Sequence, residues 1–120
     1  MPDESWSVSH VDTTAARVVQ VVGEADLDTA GELDTALTGE PDAARAVTVV
    51  DLSRTTFADS TILGVLLRAH ARHEETGRRL VLAGPLEDVL RRLFDVTGTI
   101  HHLRFARTLD EALADQPAVD

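Results

Sequence analysis

Residues 59–67 read Asp59-Ser60-Thr61-Ile62-Leu63-Gly64-Val65-Leu66-Leu67, a polar triplet that turns at once into a nearly apolar run. Just upstream lies a second apolar run, Ala46–Val50, which Asp51-Leu52-Ser53 closes. Together the two runs predict a buried strand, a turn and a helix whose first turn carries an acid and two hydroxyls. Backbone N–H groups and the helix dipole favour negative charge at such a helix start. The fold could therefore tolerate a phosphate on this turn, and that charge would change what the surface binds.

Length and composition predict one small domain with an aliphatic core. The chain has 120 residues, of which 43% are hydrophobic and only 3% aromatic. A chain of this length suits a single core, and the scarcity of aromatic residues leaves Val, Leu, Ile and Ala to fill it. We expect a single domain over residues 1–120, with its core between about residues 5 and 115.

The charge and the missing cysteines exclude several classes of function. The net charge is −10, and all eleven basic residues are arginine. Nucleic acids and anionic membranes both need a cationic surface, so neither is an expected partner. Without cysteine, disulfides, thiolate catalysis and cysteine zinc sites are excluded. No segment has the length of a membrane span, and Met1–Ser5 lacks the basic-then-apolar build of a signal peptide. We expect a cytoplasmic protein that binds other proteins.

Five strands are predicted from residue patterns. Alternation over Trp6–His10 indicates a half-buried strand, and the β-branched residues of Arg17–Val22 indicate a second strand that forms a hairpin with the first. Gly23 is predicted to end that second strand. The remaining strands are expected at Ala46–Leu52, Arg79–Ala83 and, more weakly, Ile100–Phe105.

Four helices are predicted between and after these strands. The first follows a loop at Glu24–Asp28, starts at a capping box formed by Thr29 and Glu32, and stops at Gly39–Pro41. The second helix is expected at Ser60–Thr76, and the third from Gly84-Pro85 onward. The fourth is expected after a second capping box at Thr108–Glu111, and a frayed tail at Gln116–Asp120 follows it. The order β-β-α-β-α-β-α-β-α predicts an α/β domain with a mixed sheet of four or five strands and flanking helices.

Four segments at these spacings carry a family resemblance. They are Gly23-Glu24-Ala25-Asp26 before a helix, Asp51-Leu52-Ser53 closing a strand, Phe57 two residues before Asp59-Ser60, and Leu93-Phe94-Asp95-Val96-Thr97-Gly98 near the C-terminus. In this order the segments resemble those of the bacterial anti-sigma factor antagonists, small single-domain proteins of the STAS fold. The resemblance extends from about Val8 to Leu113.

The resemblance implies a phosphorylation switch. In the family, the serine at the position of Ser60 is phosphorylated by a cognate anti-sigma factor that is also a serine kinase. The unphosphorylated antagonist binds that kinase and frees a sigma factor, and a phosphatase resets the phosphorylated form. The resemblance therefore implies a kinase substrate and not an enzyme, and no cofactor is expected. The oligomeric state, monomer or weak dimer, stays open. Its implied partner-binding residues are Asp26, Asp59, Ser60, Thr61, Ile62 and Gly64.

One position departs from the family pattern. Ile62 stands where the family usually has glycine, two residues after the switch serine. An inward-pointing Ile62 would extend the core, whereas an outward-pointing one would alter the fit to a kinase. Thr61 is a second hydroxyl that a kinase could use in place of Ser60.

The candidate residues also have plain structural interpretations. A hydroxyl or acid near a helix start often serves only as a cap, so Asp59 could cap the helix while Ser60 faces solvent. Histidines three apart can ligate a metal, but without a third ligand we expect His70 and His73 to be solvated helix residues. One acidic cluster is expected to interact favourably with the start of the first helix: Asp26, Asp28, Glu32 and Asp34. One basic cluster is expected to be a solvated face with local ion pairs: Arg91, Arg92, Arg104 and Arg107.

Two other classes of function stay open. A STAS domain could serve as a protein-interaction module in another assembly, such as a stress-sensing complex or a lipid-transport accessory. A small-ligand or nucleotide-binding module would need a pocket. A hydrolase is disfavoured because the five histidines have no obvious partner serine.

Overall fold

The computed structural model describes residues 6–13, 16–38 and 45–114. The strands are β1 Trp6–Asp12, β2 Ala16–Ala25, β3 Val47–Ala58, β4 Arg79–Ala83 and β5 Arg104–Ala106. The helices are α1 Leu27–Thr38, α2 Ser60–Glu75, α3 Asp88–Val96 and α4 Leu109–Ala114, with a 3-10 turn at Thr99–His101. The predicted order of strands and helices is confirmed. The predicted helix stop at Gly39–Pro41 and the tail at Gln116–Asp120 lie outside the described residues.

The five strands form one mixed sheet in the order β1-β2-β3-β4-β5. β1 pairs with β2 as an antiparallel hairpin, in which Trp6 lies opposite Gly23 and Asp12 opposite Arg17. The pairs β2–β3, β3–β4 and β4–β5 are parallel. Since a helix connects each parallel pair, the ends of β2, β3 and β4 and the helix starts that follow them lie along one edge of the sheet.

The core is aliphatic, as predicted, and lies mainly between the sheet and α1–α3. Alternate residues of the strands face these helices, and the cluster includes Val19, Val21, Val50, Leu52, Leu80, Leu82, Leu33, Leu66 and Phe94. The other face of β3 and β4 packs against α4 through a smaller cluster around Val49, Val81 and Ala112. Because both faces of β3 are covered, every residue from Val47 to Leu52 is buried.

β2 and β3 are longer than predicted. Gly23 does not end β2: it has a φ of 91°, and the pairing with β3 shifts between Gly23 and Glu24. The unpaired residue, Thr56, lies on β3, so a β-bulge stands opposite Gly23, and glycine readily adopts the positive φ found there. β3 continues beyond Leu52 because buried Thr55 donates a hydrogen bond of 2.7 Å to the Val21 carbonyl oxygen. Both strands consequently end together, at the aligned pair Ala25 and Ala58.

The start of α1 differs from the prediction. The helix begins at Leu27, so the predicted loop at Glu24–Asp28 and the capping box at Thr29 are wrong. Thr29 is buried inside the first turn, where its hydroxyl donates to the Glu24 carbonyl oxygen at 3.3 Å and accepts from the Asp26 N–H at 3.2 Å. The Thr29 hydroxyl thus connects the first turn of α1 to the end of β2 through hydrogen bonds.

The segments after β4 also depart in detail. α3 begins at Asp88 instead of at Pro85, because Glu87, its N-cap residue, has an extended backbone with a ψ of 151°. Gly84 still donates a hydrogen bond of 3.1 Å to the Ala106 carbonyl oxygen beyond the end of β4. A Cβ on Gly84 would lie 2.7 Å from the Leu86 nitrogen, so the close approach requires glycine. β5 is only three residues long, since Ile100 belongs to the 3-10 turn.

The capping box before α4 is half confirmed. The Thr108 hydroxyl accepts a hydrogen bond of 3.1 Å from the Glu111 N–H, as a capping box requires. The Glu111 carboxylate instead accepts from the Arg107 N–H at 3.4 Å and from the Arg107 guanidinium at 3.0 Å. A stronger, charged partner one residue upstream has replaced the reciprocal bond to Thr108.

Candidate functional site

Two capped helix starts lie side by side at the edge of the sheet. Asp26 and Asp59 directly follow the paired residues Ala25 and Ala58. An Asp26 carboxylate oxygen accepts a hydrogen bond of 3.0 Å from the Asp28 N–H. The Asp59 carboxylate accepts from the N–H groups of Thr61 and Ile62, at 3.0 and 3.3 Å. Because neighbouring strands are about 4.8 Å apart, the two caps are close neighbours.

Ser60 is exposed at the first position of α2. Asp59 caps this helix, which agrees with the interpretation that Asp59 is the cap and Ser60 faces solvent. The helix therefore does not depend on the Ser60 hydroxyl for capping. Within the described part of the chain, that hydroxyl makes no hydrogen bond. An approaching protein can therefore reach it without opening any structure.

The three residues named with Ser60 in the motif have different surroundings. Thr61 is half-buried, and Gly64 is partly exposed one turn further along α2. Ile62 is only 2% exposed and belongs to the main core cluster. Its side chain thus points inward and extends the core, because the third position of α2 faces the sheet. Among the residues predicted to bind a partner, Ile62 is corrected to a core residue that offers no side-chain surface.

Leu27 is the residue that the sequence analysis missed. It is 71% exposed and takes the first position of α1, as Ser60 does in α2, and these two helices contact one another. The sequence signal was an isolated leucine between two acids, Asp26 and Asp28. We call the surface that includes Asp26, Leu27, Asp59 and Ser60 the switch face, after the role that the family resemblance implies for Ser60.

The arginine cluster near the C-terminus is partly neutralised by local ion pairs, as predicted. The Arg104 guanidinium lies 3.0 Å from Glu74, and the Arg107 guanidinium lies 3.0 Å from Glu111. The hydrogen bonds from these arginines hold the pKa values of Glu74 and Glu111 below their ordinary range. Exposed pairs of this kind contribute little to stability.

His73 is not the solvated residue that was predicted. It is 1% exposed, with Nδ1 at 2.7 Å from the Ala69 carbonyl oxygen and Nε2 at 2.9 Å from the Thr48 hydroxyl. A carbonyl oxygen only accepts, so Nδ1 carries the proton and Nε2 accepts from Thr48. Both ring nitrogens are occupied, which removes His73 as a metal ligand. Among the described residues, no three histidine, aspartate or glutamate side chains are grouped to hold a metal ion.

We expect the stability of the protein to fall when the pH drops below the ordinary histidine pKa of 6.5. Burial lowers the pKa of His73, with Arg78 and His70 adding to the effect, while the Ala69 hydrogen bond and Glu74 oppose it. Below pH 6.5 the unfolded chain therefore binds a proton that the folded chain does not. Urea unfolding at several pH values should show this loss, and His73→Gln should remove most of it. An unchanged pH dependence in His73→Gln would contradict the assignment.

Two concave sites bear on the small-ligand alternative. One has a volume of about 350 Å³ and is lined mainly by apolar groups around Pro85, Leu86 and Phe105. The other, about 730 Å³, is an open groove between β1 and α1 that includes His10 and Glu32. Neither contains Ser60. None of the helices in the described ranges has the length and hydrophobicity to cross a bilayer.

Comparison with known proteins gives a consistent match. The family model described as "Mlab, STAS domain" matches residues 9–105. A crystal structure of an anti-sigma factor antagonist from Mycobacterium paratuberculosis is 32% identical, with a TM-score of 0.74 and 92% of each chain covered. The Bacillus cell fate determinant SpoIIAA, solved in its phosphorylated form, is 21% identical (TM-score 0.64; 91% of this chain and 96% of that chain). A sulfate transporter family protein from Wolinella succinogenes is 22% identical (TM-score 0.74; 87% and 86%).

Proposed function

The chain belongs to the STAS domain family, and from that premise we propose that it is an anti-sigma factor antagonist whose switch is Ser60. In the unmodified state, the switch face binds an anti-sigma factor that is also a serine kinase, and a sigma factor is released. The observation that carries the proposal is the exposed hydroxyl of Ser60 on a helix that Asp59 caps. The protein acts in the cytoplasm of a bacterium and has no catalytic activity of its own.

Two of the structurally similar proteins support this proposal. The 32% identical protein from Mycobacterium paratuberculosis is itself an anti-sigma factor antagonist. SpoIIAA, which shares the fold, has been solved with and without phosphorylation. The exposed Ser60 offers this chain a site for the same modification.

The modification is a phosphoryl transfer from ATP. The bound kinase transfers the γ-phosphoryl group to Ser60 Oγ, the hydroxyl proton passes to a base of the kinase, and ADP leaves. The phosphate adds a charge of about −1.5 to −2 beside Asp59 and Asp26, on a chain whose net charge is already −10. The helix start tolerates this charge, whereas a partner surface fitted to a neutral hydroxyl does not. A phosphatase then restores the binding form.

Leu27 defines the partner surface more closely. An exposed leucine flanked by Asp26 and Asp28 fits a partner with an apolar pocket and a cationic rim. We expect Leu27→Asp to weaken kinase binding by at least about tenfold, because it removes an apolar contact and adds a desolvation cost. Calorimetric titration of the purified kinase would measure the change.

Val96→Asp is the matched control for Leu27→Asp. Val96 is 75% exposed on α3, far along the chain from the switch face, and its replacement makes the same chemical change. We expect this variant to bind like the unmodified protein. Equal losses in the two variants would show that added charge, and not the switch face, governs the interaction.

Intact-mass spectrometry after incubation with candidate kinases and ATP tests the proposed function directly. We expect a single phosphate, mapped to Ser60, which Thr61→Ala retains and Ser60→Ala loses. Modification that persists in Ser60→Ala and disappears in Thr61→Ala would overturn the assignment of the switch to Ser60. A kinase that binds without releasing a sigma factor would overturn the proposed function.

A further inference from the structure

Arg68 lies on the same side of α2 as Ser60 and is unexplained by the proposed function. Ser60, Gly64 and Arg68 are spaced four residues apart, which aligns them on one side of a helix. Arg68 is exposed, and its Nη1 atom lies 3.3 Å from the position that a Cβ on Gly64 would occupy. The guanidinium therefore lies over Gly64, one helical turn closer to Ser60 than the Arg68 backbone.

No carboxylate holds Arg68 in another direction. Within the described part of the chain, its guanidinium makes no ion pair or hydrogen bond. The residues three and four positions away, which are its neighbours on the helix, are Gly64, Val65, Ala71 and Arg72. Of these four residues only Arg72 is charged, and its charge repels the guanidinium toward the start of the helix. Arg68 is thus a free cation directed at the turn that carries the switch.

The guanidinium lies over Gly64, which neighbours both Ser60 and Thr61 on the helix surface. Successive helix residues are rotated by about 100°, so relative to Ser60, Gly64 lies at about 40°, Arg68 at about 80° and Thr61 at about 100°. From a guanidinium over Gly64, Ser60 is about 40° around the helix and about 6 Å along its axis, and Thr61 is about 60° and about 4.5 Å away. The choice of Ser60 therefore comes from the proposed function, and the experiment below compares the two positions. The absence of a side chain at Gly64 leaves the space in which the guanidinium lies.

We propose that Arg68 binds the phosphate on Ser60 within the same molecule. This inference rests on the proposed function, in which Ser60 is phosphorylated. Gly64 and Ser60 are separated by about 6 Å along the helix axis. The phosphate extends beyond Oγ, and a charge-assisted hydrogen bond spans about 2.8 Å, so a side-chain rotation of Arg68 closes the gap. Arginine suits this role because its guanidinium can donate two parallel hydrogen bonds to one phosphate.

This contact makes the switch larger than one residue. The unmodified protein presents a serine hydroxyl and a free guanidinium one turn apart. In the modified protein the guanidinium binds the phosphate on Ser60. The partner therefore contacts neither a free hydroxyl nor a free guanidinium. Phosphorylation consequently changes the surface of the first two turns of α2 while α2 remains a helix.

The test installs phosphoserine at position 60 genetically, so that no kinase is needed. We expect the phosphate pKa, followed by ³¹P NMR, to be about half a unit lower in the phosphorylated protein than in its Arg68→Gln variant. The difference should shrink at about 1 M salt. Gly64→Ala should leave most of the difference, because its Cβ, 3.3 Å from Nη1, moves the flexible guanidinium by only a few tenths of an ångström. Arg72→Gln, one turn further from Ser60, should leave the pKa unchanged. Asp59 raises the phosphate pKa equally in all of these proteins.

Equal phosphate pKa values with and without Arg68 would overturn the inference. A change of the phosphate pKa in Arg72→Gln as large as that in Arg68→Gln would also overturn it, because it would indicate a general effect of positive charge on the helix. A larger effect of Arg68→Gln on phosphothreonine at position 61 would assign the arginine to Thr61 and would also overturn it. Because the phosphate is installed without a kinase, these results are independent of the proposed function. If no kinase modifies Ser60, the proposed function fails, while the pKa measurement still decides the role of Arg68.

Discussion

Ser60→Asp is expected to lower the affinity for the partner kinase by about a hundredfold or more, whereas Ser60→Ala retains the affinity and cannot be modified. The aspartate places a permanent negative charge at the first position of α2, beside Asp59 and Asp26. A kinase pocket that fits the neutral Ser60 hydroxyl would lose its hydrogen bonds to that hydroxyl. Binding would also require the desolvation of a carboxylate, which costs free energy. Calorimetric titration without ATP would measure both affinities before any phosphoryl transfer.

Two controls separate this effect from charge in general and from unfolding. Thr35 is exposed in the middle of α1, so Thr35→Asp adds the same charge away from the switch face and should bind normally. Thermal unfolding of Ser60→Asp should match that of the unmodified protein or slightly exceed it, since an acid is favourable at a helix start. Equal affinities of Ser60→Asp and Ser60→Ala would contradict the proposed switch.

Ile62→Gly is expected to cost about 4 kcal/mol of stability, although the family usually has glycine at this position. The Ile62 side chain is 2% exposed and packed in the main core cluster. Truncating a buried isoleucine to alanine typically costs about 2–5 kcal/mol, and glycine adds about 1 kcal/mol in a helix. Urea unfolding monitored by circular dichroism would measure the loss.

Thr61→Gly is the matched control for the backbone contribution. Thr61 is the half-buried neighbour of Ile62 in the same turn, so its replacement by glycine should cost only about 1 kcal/mol. If Ile62→Gly cost no more than this control, the contacts of Ile62 with the core would not stabilise the fold. The structure would then give no reason for isoleucine at this position.

The elements around Ser60 were predictable because their signals are local. The apolar run after Asp59-Ser60-Thr61 predicts α2, and the preference of aspartate for helix caps predicts the bonds to Thr61 and Ile62. Alternating strands and helices predict the mixed five-stranded sheet, since parallel strands need crossover connections. The position of Ser60 on the surface follows from these features.

The residues that were wrongly predicted depend on distant partners. Gly23 looks like a strand end in the sequence, but β3 pairs with the chain beyond it through a bulge. His73 looks like a polar helix residue, but Thr48 on β3 provides the hydrogen bond that allows its burial. Leu27 becomes visible as an exposed residue only when the start of α1 is known. In each case the deciding contact is absent from the local sequence.

The division of roles between Asp59 and Ser60 has a consequence in living cells. Since Asp59 holds the helix start, replacing Ser60 leaves the folded population, and hence degradation by proteases, largely unchanged. Chromosomal Ser60→Ala and Ser60→Asp strains should therefore contain equal amounts of the protein. Any difference in their gene expression could then be attributed to the signalling state instead of to protein dosage.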